Sequence, residues 1–142
     1  MILLDTDHVT ALKYPEHPRA KQLEERLAAL PAGEPIGVSI VTVEEQMRGW
    51  LAAIAKERKS HRQVMAYREL ERLFRYFQLF QIIAFDELCA DQLEKLRSAK
   101  VRIGTMDLKI AATALVHSAL LLSANLRDFE RVPGLRVEDW LD

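Results

Sequence analysis

Short apolar runs punctuate this chain at regular intervals. Ile2-Leu3-Leu4 ends abruptly on Asp5, and similar runs return after Pro35, around Ile82-Ile83 and at Leu120-Leu121-Leu122. Runs this short suit buried strands better than helices, so strands are predicted at Met1–Asp5, Ile36–Val41, Phe80–Phe85, Leu120–Ala124 and Leu135–Val137. Between them the spacing turns helical. A helix is expected from Thr6 to just before Tyr14-Pro15, and a second after Pro18, with Ala20, Leu23, Leu27 and Leu30 in step. A third is expected from Thr42 to about Arg58, with Thr42 as N-cap and Glu45 completing a capping box. After a break at Lys59-Ser60, residues 61–79 carry Val64, Tyr67, Leu70, Phe74 and Phe77 as an apolar stripe, expected to be core. Asp86 to about Arg97 and Met106 to about His117 complete the helices, the last capped by Thr105.

Strands that alternate with helices predict an α/β fold: a central parallel sheet of about five strands with helices on both faces. Ligands of such sheets bind beyond the carboxyl ends of the strands. Asp5 and Asn125 follow predicted strands, while Glu45 and Asp107 fall in predicted first turns of helices, so these residues can converge on one edge.

Composition narrows the class. A chain of 142 residues, 49% of them hydrophobic, fits one domain over residues 1–142 with a sizeable core. A single cysteine, Cys89, excludes an internal disulfide and fits a reducing, cytoplasmic setting. No secretory signal or membrane-spanning apolar run is evident, so no membrane partner is expected. The formal net charge of -1 does not announce a nucleic-acid binder, but residues from Arg48 to Arg75 are locally basic. On charge alone this stretch reads as solvated helix faces.

The chemistry rests on acids without partners. No Lys or Arg precedes Lys13, so Asp5 and Asp7 lack a nearby cation in sequence. Carboxylates that converge without one must either take up protons or bind a divalent cation. Hard oxygen donors suit Mg²⁺ or Mn²⁺, and four scattered histidines with one cysteine offer no zinc spacing. Each acid also has a plain structural role available. Asp7 or Thr6 can cap the first helix, Glu45 can serve the capping box, and Asp107 can complement a helix dipole.

Four blocks in order, "LLDTD", "SIVTVEEQMRGW", "RIGTMDLKIAATAL" and "LLSANLRDFERVPGLRVEDW", resemble the PIN-domain ribonucleases, and among them the VapC-type toxins of bacterial toxin–antitoxin pairs. The resemblance implies an endoribonuclease that uses one or two Mg²⁺ or Mn²⁺ ions and leaves 5′-phosphate and 3′-hydroxyl ends. It makes Asp5, Glu45 and Asp107 the catalytic metal-binding acids, with Glu45 chosen over Glu44 by the family spacing to Thr42 and Gly49. Asn125 stands where many relatives carry an acid, and Asp128 is placed to supply the missing charge. Asp7 stands where relatives often have Asn. Thr6 and Ser123 are candidates to hydrogen-bond the ligand carboxylates, and Arg48, Lys56, Arg58 and Lys59 to contact RNA. The implied partners are an RNA substrate, a cognate antitoxin and a second copy of the chain.

Two other readings compete. "DTDHV" also fits a haloacid-dehalogenase-like phosphatase with Asp5 as nucleophile, although that family's acidic pair after a fourth strand is missing. A catalytically degenerate PIN domain acting as a binding module is the other, with Asn125 as its only mark of decay.

Overall fold

The computed structural model describes residues 1–142. Five parallel strands form its sheet: β1 (Ile2–Leu4), β2 (Ile36–Ser39), β3 (Gln81–Ile83), β4 (Leu120–Leu122) and β5 (Arg136–Glu138). Their order is β3-β2-β1-β4-β5, so β1 lies at the centre and β3 and β5 form the edges. The seven helices are α1 (Thr6–Lys13), α2 (Ala20–Ala28), α3 (Ile40–Lys56), α4 (Ser60–Phe77), α5 (Glu87–Ser98), α6 (Thr105–Val116) and α7 (Leu126–Phe129).

Strand side chains alternate between two cores. Leu3, Leu121 and Ile83 point to one face, where they meet Leu93 and Leu96 of α5, Ile110 and Ala111 of α6, and Phe129 of α7. Ile2, Leu4, Val38 and Leu122 point to the other, against Val9 and Ala11 of α1, Leu23 of α2, Val43 of α3 and Leu73 and Phe77 of α4. Helices therefore cover both faces, and the near-continuous apolar strands of the sequence follow from burial on both sides. One close approach dictates a residue type. A Cβ at Gly37 would lie 2.9 Å from Cγ1 and Cδ1 of Ile83 on the neighbouring strand, so that edge seats only glycine without a shift.

Strands β1 to β4 are shorter than expected, and β5 is shifted by one residue to Arg136–Glu138. The Ser39 Oγ accepts the Val41 N–H at 3.0 Å, so α3 starts at Ile40, two residues earlier than expected, and Thr42 is not its cap. Gly104, with no side-chain contribution, occupies the cap of α6 in place of Thr105.

The stripe expected on α4 is only partly core. This helix packs beside α3 at the periphery and buries a narrow strip of Ala66, Leu73 and Phe77. Val64, Tyr67 and Phe74 are exposed. At 100° per residue they fall on the flank of that strip or beyond it, where no further element covers them.

Candidate metal centre

The carboxyl edge of the sheet gathers the acids. Asp5 makes the last ladder contact of β1, its N–H donating to the Leu122 carbonyl at 2.9 Å. It then turns out of the strand and caps α1 itself. Its Oδ1 accepts the Thr6 N–H at 2.8 Å, and its Oδ2 accepts the Ser123 hydroxyl at 2.7 Å. Neither Thr6 nor Asp7 is the cap, because only Asp5 has the extended backbone of a residue entering the helix. Burial is the main reason the Asp5 pKa rises from 3.8 to about 6; the charges of Asp7 and Asp107 add to it, against the hydrogen bonds from Ser123 and Thr6.

Glu45 reaches the same place from α3. It lies in the second turn of that helix, beyond any capping box. Burial raises its pKa, followed by the charges of Asp5, Asp107 and Glu44, with Arg48 opposing. Glu44 points to the outer flank and pairs with Arg48 one turn on, which leaves Arg48 largely exposed and already engaged. Asp107, in the first turn of α6, is raised by burial and then by Asp128.

Asn125 and Asp128 complete the group from the short turn after β4. The Asn125 amide nitrogen donates to Asp107 Oδ2 at 3.3 Å and to Asp128 Oδ2 at 3.1 Å, so Asn125 enters the cluster as a donor bridging two carboxylates. Asp128 sits one turn into α7 and faces back toward Asp107, as its influence on that group requires.

No Lys or Arg forms an ion pair with Asp5, Glu45, Asp107 or Asp128. The acids stand apart, and no three of them are close enough as they lie to hold one ion. Burial raises the pKa of Asp5, Glu45 and Asp107, and in each case another acid adds to the rise. Two further oxygens remain unsatisfied: the buried hydroxyls of Thr6 and Thr42 have no hydrogen-bond partner. An uncompensated carboxylate cluster with orphaned hydroxyls in the adjoining helix turns fits a hard divalent cation in donor chemistry and in charge.

The structure separates the other candidates. Ser123 contacts Asp5 through its hydroxyl, whereas Thr6 does so through its backbone. Lys56, Arg58 and Lys59 lie at and after the far end of α3; Lys56 is eleven residues past Glu45, about 16 Å along the axis. Both carboxylate oxygens of Asp7 are engaged. Its Oδ1 accepts from His8 Nδ1 at 2.6 Å and its Oδ2 from the Ala124 N–H at 2.9 Å, an arrangement that leaves it unsuited to the acid–base role a phosphatase would require. His8, wholly buried, carried no signal in the sequence beyond its place next to Asp7.

A doubly covered parallel sheet with unneutralised acids along its carboxyl edge defines an α/β protein with an acidic site at that edge. The PIN domain family model matches residues 2–135. Ribonuclease VapC4 of Mycobacterium tuberculosis is 32% identical over 110 residues, covering 75% of this chain and 78% of that protein. The tRNA(fMet)-specific endonuclease VapC of Salmonella typhimurium is 28% identical over 107 residues, covering 72% and 74%. The solved structure of VapBC-1 from nontypeable Haemophilus influenzae superposes with a TM-score of 0.74 at 25% identity, covering 100% of both chains. The chain belongs to the PIN-domain family and, within it, to the VapC ribonucleases, the toxins of VapBC toxin–antitoxin systems.

Proposed function

We propose that this protein is a divalent-metal-dependent endoribonuclease, one domain over residues 1–142, that cuts RNA phosphodiester bonds as a cytoplasmic toxin. One observation carries the metal dependence. Asp5 is buried with no cation to offset its charge, and burial above all, then the charges of Asp7 and Asp107, raises its pKa to about 6. Asp5, Glu45 and Asp107 would hold one or two Mg²⁺ or Mn²⁺ ions, with Asp128 adding charge from α7 and Asn125 orienting Asp107 and Asp128. Bound there, the metal supplies Lewis acidity that activates the attacking water and stabilises charge developing on the phosphoryl and leaving 3′ oxygens.

The chain's own groups do the positioning. Ser123 and the Thr6 N–H fix both oxygens of Asp5. Asn125 holds Asp107 and Asp128 together despite their like charge. Arg48, exposed on the flank of α3, would meet an RNA backbone on exchanging its pair with Glu44 for a phosphate. Lys56, Arg58 and Lys59 would engage only RNA extending well beyond the scissile bond.

A cognate antitoxin and a second copy of the chain are the protein partners of this reading. An open apolar cavity of about 280 Å³ supports it, lined by Ile40, Val43, Met47, Phe74, Phe77 and Ile82 beside the β2–α3 junction. With Tyr67 exposed on the same face of α4 as Phe74, it leaves an apolar surface for protein to cover.

RNA cleavage by the purified protein in Mg²⁺ or Mn²⁺, with and without excess chelator, tests the proposal. Cleavage is expected only with metal and is expected to vanish in Asp107→Asn. Undiminished cleavage in chelator would refute metal dependence, and no cleavage of any RNA in either ion would refute the enzyme.

A further inference from the structure

Asp7 and His8 belong to a chain of hydrogen bonds that starts outside the acidic cluster and ends in it. Trp140, after β5, donates its backbone N–H to His8 Nε2 at 3.1 Å. That bond makes Nε2 the acceptor and leaves the ring proton on Nδ1, which donates to Asp7 Oδ1 at 2.6 Å. The Asp139 carboxylate lies 3.7 Å from Nε2, but the same oxygen accepts the Leu141 N–H at 2.9 Å. The other oxygen of Asp7 accepts the Ala124 N–H at 2.9 Å and lies 3.5 Å from the Ser123 hydroxyl. Ser123 Oγ accepts the Asn125 N–H at 3.0 Å while donating to Asp5.

The polarity runs one way throughout. An imidazole with one donor and one acceptor links a backbone N–H to a carboxylate, and only a carboxylate can accept at both ends. An asparagine at position 7 can satisfy either His8 or Ala124 but not both, because its amide nitrogen offers no acceptor.

We infer that Asp7 is a positioning residue. Held by the buried His8 and, through it, by Trp140, it pins the turn after β4 that carries Ser123 and Asn125, and so sets Asp5 and Asp107 for metal binding. The inference rests on the metal centre proposed above. It also gives the segment after β5, through Trp140 and His8, a role at the turn after β4.

Amide exchange in metal-free protein reads the linkage directly, and Mn²⁺ affinity by calorimetry reads its consequence. In Asp7→Asn, and in His8→Gln, whose amide reproduces the Nε2 position but not the donor to Asp7, the Ala124 and Asn125 amides should exchange faster. Mn²⁺ binding should weaken about 10- to 100-fold, as for other groups that orient metal ligands. His8→Asn, which keeps the donor to Asp7 but loses the acceptor for Trp140, should recover only part of the affinity, and full recovery would overturn the Trp140 step of the linkage. Unchanged exchange overturns the linkage. A lower melting temperature with unchanged Mn²⁺ affinity overturns the positioning role and leaves only a structural one. Loss of affinity as complete as in Asp5→Asn also overturns it, by making Asp7 a direct ligand. A parent protein that binds no Mn²⁺ overturns the metal centre and this role with it, and the exchange rates then show whether the linkage itself exists.

Discussion

Replacing Asp5 with Asn should stabilise the metal-free protein while abolishing its activity. The ionised carboxylate is 6% exposed, carries no ion pair, and has a folded-state pKa of about 6 against an ordinary 3.8. Between those two values the folded chain holds more protons than the unfolded chain, so stability falls as pH rises through the window. The full cost, reached above pH 6, is about 3 kcal/mol. Asn removes the charge and remains a good N-cap, its Oδ1 accepting the Thr6 N–H. Against that gain stands the altered contact with Ser123, worth about 1 kcal/mol. A net gain of roughly 2 kcal/mol raises the melting temperature by about 6–8 °C in a domain of this size. Melts in chelator at pH 7.5 and pH 4 provide the assay. The variant should melt higher at pH 7.5 and lose most of that advantage at pH 4, where the folded parent's carboxyl is protonated and the unfolded chain's is near its midpoint. Added Mn²⁺ should stabilise the parent and not the variant. A variant less stable than the parent by the same margin at both pH values would refute the reasoning, since Asp5 would then be an ordinary structural acid.

Three further outcomes follow from the same geometry. Glu45→Gln should abolish RNA cleavage, while Glu44→Gln, which only breaks an exposed pair with Arg48, should keep most of it; the reverse ranking in a cleavage assay would move the site to the outer flank of α3. Asn125→Asp should lower the metal-free melting temperature at neutral pH, because a third carboxylate replaces a donor to Asp107 and Asp128, yet tighten Mn²⁺ binding; Asp128→Asn should weaken that binding more than Asn125→Ala, all read by calorimetry. Gly37→Ala should cost about 1–3 kcal/mol in denaturant unfolding through overpacking against Ile83, and Ile83→Ala should relieve much of that cost in the double variant.

The sequence by itself determined the layered α/β architecture. Apolar runs too short for helices, separated by segments of helical period, leave few alternatives to a parallel sheet covered on both faces. It also singled out Asp5, because an acid that ends a buried strand needs a partner and none was near in sequence. The local pattern could not determine where each helix begins. Ser39 and Thr42 are both competent caps, and the choice fell to Ser39 because the ladder with β3 ends there. Nor could it decide which flank of α4 is buried, since Phe77 belongs equally to the stripe that was expected and to the strip that packs. The orientation of Asn125 and the linkage from Trp140 through His8 to Asp7 depend on residues 18 and 132 positions apart. Only the tertiary structure decided them, because a hydrogen bond's partner is chosen by what folding brings within 3 Å or so, and no local periodicity encodes that distance.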